Sequence, residues 1–213
     1  MKCPLCESRK GKRRCPAITR DICPACCGEK RIVEIHCEPT CPFLAEGQRN
    51  EIGREWGEYL RHQEPAKARL WLQVVEHMLP VIQAVEKAIV GMAGTLRDLA
   101  DTEAGEALEA LRQGYSAEES GIIYQPSSAS PRVQAVVAAV RDEVEALRKA
   151  AAEGGQGSVP ASAIAHCLEA LRDRLEFHAS RPGVVPFVEH LRRVAAPADW
   201  RGAGNTPSRL LIP

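Results

Sequence analysis

The chain has 213 residues, a formal net charge of zero and few aromatics, 4% of the sequence against 45% hydrophobic residues overall. That balance favours packed helices over a β-sandwich, and the zero net charge gives no global pull toward nucleic acid or membrane. There is no run of about eighteen apolar residues, and the Met-Lys-Cys-Pro start has no apolar signal region, so the chain reads as soluble and cytoplasmic.

From the N-terminus, the cysteines come first. Eight of the nine lie between Cys3 and Cys41, and only Cys167 lies beyond. They fall as Cys3-x2-Cys6, then Cys15, then Cys23-x2-Cys26-Cys27, then Cys37-x3-Cys41. Two residues between thiols is the spacing of a zinc knuckle, a tight turn that lets both sulfurs reach one ion at ~2.3 Å. In a reducing compartment clustered thiols stay free, and metal is their default partner. Eight thiols divide evenly into two tetrahedral sites. Two Zn²⁺ ions are therefore expected, with Cys3, Cys6, Cys15, Cys23, Cys26, Cys27, Cys37 and Cys41 as ligands.

Two divisions of these ligands are open. A sequential one gives Cys3, Cys6, Cys15 and Cys23 to one ion and the last four to the other. An interleaved one gives Cys3, Cys6, Cys23 and Cys26 to one, and Cys15, Cys27, Cys37 and Cys41 to the other. The interleaved division is preferred, because closing longer loops around metal cross-links a segment too short for a large core. His36, beside Cys37, is an alternative ligand. A ferredoxin-type cluster would need a Cys-x2-Cys-x2-Cys run before Cys37-x3-Cys41-Pro42, and the sequence has none. Vicinal Cys26-Cys27 suggests a redox pair, but zinc-held thiolates exchange poorly.

The alternation of ligand pairs resembles the cross-braced, treble-clef-type fingers of the HIT, MYND and B-box families over about residues 3 to 41. One departure is that Cys15 is not the start of a second CxxC, since Ile18 stands three residues on. The run from Cys15-Pro16-Ala17 through Cys26-Cys27-Gly28 to Cys41-Pro42 is also similar to the N-termini of uncharacterised bacterial proteins. The first resemblance implies a double-zinc module, and the second implies no function.

Residues 1 to 41 hold nine basic and five acidic side chains, a balance of +4, with Arg9, Lys10, Lys12, Arg13 and Arg14 close together. This invites a nucleic-acid reading. Eight thiolates with two Zn²⁺ would add −4 and bring the module near neutral, so the cations are read mainly as stabilising thiolates. No aromatic occurs in this stretch for bases to stack on.

Beyond Cys41-Pro42 the texture is helical. A helix is predicted from about Ala45 to His62, with Ile52, Trp56 and Tyr59 on one face. Pro65 suits the first turn of the next, which runs toward Ala100. There Val75, Met78, Ile82, Val85, Ile89, Met92, Leu96 and Leu99 form a heptad seam that predicts coiled-coil-like packing, and Pro80 should bend it. A third helix uses Ala104, Leu108 and Leu111 and is expected to end near Gly114, with a capping box at Ser116 to Glu119 starting a further short turn. Gly121 to Ser128 reads as an extended connector. Ser130-Pro131 is a helix start for Val133, Val137, Val140, Val144 and Leu147. After a break at Glu153 to Ser158 come helices on Ile164, Leu168, Leu171 and Leu175, and from Val185 to Ala195. The tail from Pro197 is expected to be disordered.

The helical part shows no HExxH motif, no phosphate-cradling glycine loop and no Ser-His-Asp spacing. No Glu has a His three residues on, which a ferritin-type di-iron bundle requires. Cys167 reads as an inert core thiol.

The sequence thus predicts a mostly α protein: a double-zinc module at 1–44, a helical bundle at 45–196 and a tail at 197–213. The expected function is a non-catalytic zinc-binding protein that scaffolds a protein partner or associates with itself through its helical seams. The alternative is a nucleic-acid-binding regulator using the Arg9–Arg14 loop.

Overall fold

The computed structural model describes residues 1–31, 34–38, 40–122, 130–155 and 157–194. Two compact units emerge, one built on Met1–Gly57 and the other on Glu58–Arg192. The expected connector at Gly121 to Ser128 falls almost wholly outside the described residues, and the tail from Pro197 does so entirely.

The first unit begins with strands β1 (Arg13–Cys15) and β2 (Arg20–Ile22), an antiparallel hairpin with Cys15 opposite Arg20 and Arg13 opposite Ile22. A turn joins them, closed by the Thr19 amide on the Pro16 carbonyl at 3.2 Å. Helix α1 (Pro24–Lys30) follows, with Pro24 pre-set for the first helical turn. Its interior is small. Buried Cys3, Cys15, Cys23 and Cys26 share it with Ile22 and Ile35, so sulfur supplies most of the core. Such a core buries little apolar surface. Helix α2 (Pro42–Arg61) comes next, starting directly after Cys41.

The second unit is a bundle of α3 (Pro65–Thr95), α4 (Asp101–Glu119), α5 (Pro131–Glu153) and α6 (Ala161–Ala179), followed by the short α7 (Phe187–Val194). Helix α3 packs on α5 and α6, and α4 packs on the same two. Its interior is aliphatic: Ile82, Val85 and Ile89 of α3, Leu108 and Leu111 of α4, Val136 and Val140 of α5, and Leu168 and Leu171 of α6 are all buried.

The bend expected from Pro80 is present. Met78 leaves helical geometry at φ −114° and ψ 19°. Proline offers no N–H to the Glu76 carbonyl, and its ring crowds the turn before it. Beyond the bend, the buried face includes Val81, Ala84, Glu86 and Ala88 as well as Ile82, Val85 and Ile89, wider than a two-residue heptad seam. One helix facing two neighbours buries such a face.

The third helix does not stop at Gly114. It runs on to Glu119, and Ser116 to Glu119 are its last turn instead of a new start. Tyr115 continues the buried stripe of Leu108 and Leu111, and a glycine inside a helix costs only about 1 kcal/mol. The reciprocal contact of a capping box lies at the other end, where the Glu103 carboxylate accepts from the Ala100 amide at 2.9 Å. Ser130 caps α5 as its sequence implies, accepting from the Val133 amide at 3.4 Å. No described helix is long and apolar enough to cross a membrane.

Candidate metal centre

Backbone geometry delivers the first four ligands from two turns. The Cys3 amide bonds the Arg9 carbonyl and the Glu7 amide bonds the Cys3 carbonyl, both at 2.8 Å, folding Cys3 to Cys6 into a knuckle. Glu7 takes a left-handed φ of 53° to make this turn. The second pair sits on the start of α1. Cys23 is its cap residue and its Sγ accepts from the Cys26 amide at 3.4 Å, so both thiols lie on the first turn. Gly11 permits the hairpin to close over the knuckle, since a Cβ there would lie 2.4 Å from the Asp21 carbonyl oxygen.

The sulfurs of Cys3, Cys6, Cys23 and Cys26 all lie within 4.8 Å of one another. Cys6 and Cys23 are 3.9 Å apart, far beyond a disulfide, and all nine cysteines are free thiols. A tetrahedral ion with ~2.3 Å metal–sulfur bonds requires sulfurs about 3.8 Å apart, so the group fits a single ion. Cys3, Cys23 and Cys26 are almost fully buried. Four protein sulfurs fill the tetrahedron and leave no position for water.

No protein-family model, curated protein or solved structure matches this chain.

The four thiols are electrostatically unequal. Hydrogen bonds from the Ser8 side chain and from the Arg9 and Ser8 amides bring Cys6 down to about 6. Burial and the neighbouring sulfurs of Cys23, Cys6 and Cys3 push Cys26 up to about 12. Burial also works to raise Cys3, but the backbone of Cys23, Leu5 and Cys6 outweighs it and the net shift is downward. Arg9 completes the surroundings. A hydrogen bond to the Cys23 sulfur, and the charge of Cys23 and Cys6, hold its guanidinium above its ordinary value.

Of the eight expected ligands, the structure gathers the four that the interleaved division assigns to one ion. Cys15 is outside that group, which the sequential division does not accommodate. Cys15, Cys27, Cys37 and Cys41 instead line a separate cavity of about 10 Å³. His36 is exposed and does not line it. Cys167 lies in the bundle, fully buried, its thiol pushed up to about 12 by burial, as suits a neutral core residue.

The hairpin and α1 do not figure among the helices that periodicity reveals. A signal for α1 was nonetheless present in Cys23-Pro24, a cap followed by proline at the first helical position. Two strands of three residues are too short to show a period.

Proposed function

We propose that this chain is a zinc protein in which the metal builds a rigid module for binding other proteins and performs no chemistry. The observation that carries this reading is the closed group of Cys3, Cys6, Cys23 and Cys26. Thiolate-only donors favour zinc over harder cations, and a filled tetrahedron leaves no site at which to activate water. The order of knuckle, hairpin and helix, with ligands on the knuckle and the first helical turn, supports a treble-clef-like module. Eight thiols give two ions per chain, the second resting on Cys15, Cys27, Cys37 and Cys41. The helical bundle serves as a platform for a protein partner or for self-association.

The alternative, a nucleic-acid-binding regulator, draws on Lys10, Lys12, Arg14 and Arg20, which are exposed on or beside the hairpin. Against it, Arg13 is half-buried and already engaged with the Cys27 sulfur.

Native mass spectrometry of the full chain tests the metal. Two zinc ions are expected, and stoichiometric iron with inorganic sulfide would overturn the assignment. Pulldown with the full chain and with a Cys3→Ser/Cys26→Ser variant tests the function. A protein partner held by the first and lost with the second is expected. A hydrolytic or redox activity that vanished with the metal would defeat the non-catalytic reading.

A further inference from the structure

The second set of cysteines differs from the first in burial and in the separation of its sulfurs. Cys27 and Cys37 are only partly buried, whereas in the first set Cys6 alone is partly buried and the other three are at 0–2% exposure. Its members line a cavity, but the group within 4.8 Å of one another is the first set alone among the described residues. At about 10 Å³ the cavity has room for about one water-sized sphere, which suits a single ion and nothing larger.

The segment that supplies Cys37 and Cys41 also starts α2. The Cys41 carbonyl accepts from the amides of Leu44 at 3.0 Å and Ala45 at 3.3 Å, so Cys41 is the residue on which the first turn of α2 is built. Arg13, Arg14 and Arg31 line the same cavity, and two of them reach α2. Arg13 donates to the Cys27 sulfur at 3.7 Å and lies 5.0 Å over the ring of Phe43 in that first turn. Arg31 reaches Glu51 of α2 at 3.9 Å and lies where a Cβ on Gly47 would be. Both guanidinium groups therefore join the cavity to the first turns of α2.

We propose that Cys15, Cys27, Cys37 and Cys41 form an exchangeable metal centre, and that its occupancy controls the order of the first turns of α2. The inference rests on the two-ion reading above and adds that the ions are unequal. An ion at this centre draws the Cys37 and Cys41 sulfurs toward those of Cys15 and Cys27 and fixes the residue that starts α2. Loss of the ion frees the Cys37–Cys41 segment, and the first turns of α2 fray with it. The ion among Cys3, Cys6, Cys23 and Cys26 stays, because its four sulfurs already lie within 4.8 Å of one another and three of its ligands are shielded from solvent.

The test is graded chelation of the zinc-loaded full chain, followed by native mass spectrometry and by hydrogen exchange of residues 42–50. We expect loss in two steps, the first at least about tenfold faster, with exchange at 42–50 rising during that step. Cys41→Ser should bind one ion and show the fast exchange from the outset. Cys3→Ser controls for general unfolding of the module and should lose its slow-leaving ion. A chain that never binds more than one ion would overturn the two-ion reading itself. Two ions leaving together, or unchanged exchange at 42–50 when the first leaves, would leave that reading standing and overturn this inference.

Discussion

Arg174 of α6 forms an ion pair with Glu86 of α3 inside the helical bundle, its guanidinium fully buried and also 5.2 Å over the ring of Phe187. A buried pair of this kind gains little against an apolar pair of the same volume, but either partner is costly alone. Glu86→Ala should therefore lower stability by about 3–5 kcal/mol in urea titration, through the charge it strands. The double variant Glu86→Leu/Arg174→Leu should lose much less than the single one. A single variant as stable as the parent would show that the pair is solvated in solution.

Chelation should unfold the sulfur-based core of residues 1 to 41 and leave the bundle standing. The bundle has an aliphatic interior of its own, whereas the module's core holds four cysteines and two isoleucines. On adding a strong chelator, most of the helical circular dichroism should persist while the module becomes sensitive to protease. Loss of the whole helical signal would mean that the two units fold as one.

Acid should weaken the bundle through two carboxylates on α4. Glu103, hydrogen-bonded by Arg132 and by the Ala100 amide, is held at about 2, and Glu109 is held at about 2 chiefly by Arg112. Their ordinary value is 4.5. With the folded value depressed, the stabilisation is fully present above pH about 4.5 and disappears as pH falls from there to about 2. Denaturation midpoints in urea should fall across that window, and less so in Glu103→Gln and Glu109→Gln. A variant profile as steep as the parent's would assign the acid sensitivity to other groups.

Replacing Gly11 should damage the metal module more than the bundle. A Cβ at this position meets the backbone of Asp21 at 2.4 Å, and backbone cannot swing aside as a side chain can. Gly11→Ala should push the hairpin off the knuckle and speed zinc loss to a competing chelator, with the bundle's urea midpoint unchanged. Unaltered zinc retention would show that the hairpin accommodates the methyl group.

How far the sequence carried depended on the length of each element. Helices with four or more apolar repeats were legible, as were the bend at Pro80 and the cap at Ser130, because each follows from local chemistry. The end of α4 was misread because Gly114 is a local stop signal, and the burial of Tyr115 that carries the helix past it is tertiary. The width of the buried face on α3 was hidden for the same reason. In the module, knuckle spacing singled out Cys3, Cys6, Cys23 and Cys26, but no spacing rule places Cys41 at the start of α2. Nor does any rule place the Arg13 guanidinium on the Cys27 sulfur.

That last contact separates the two functional readings. Among the five clustered cations, Arg13 is half-buried and donates to Cys27 at 3.7 Å, whereas Arg9, Lys10, Lys12 and Arg14 are exposed. A guanidinium beside a thiolate stabilises its charged, metal-ready form, while exposed lysines and arginines mainly answer to outside charges. Arg13→Glu should therefore speed zinc loss, whereas Lys10→Glu and Lys12→Glu should leave zinc retention close to the parent's. If the chain also bound DNA or RNA, these exposed cations would carry it. Affinity would then fall steeply with salt, with a slope of ~0.7–0.9 per phosphate contacted, and charge reversal at Lys10 and Lys12 would flatten that slope. We expect weak binding with little sequence preference at physiological salt, because Arg13 is committed to sulfur and residues 1 to 41 hold no aromatic on which bases could stack. Sub-micromolar, salt-sensitive binding to one defined nucleic acid, abolished in the Lys10→Glu/Lys12→Glu variant with zinc fully retained, would decide for the regulator.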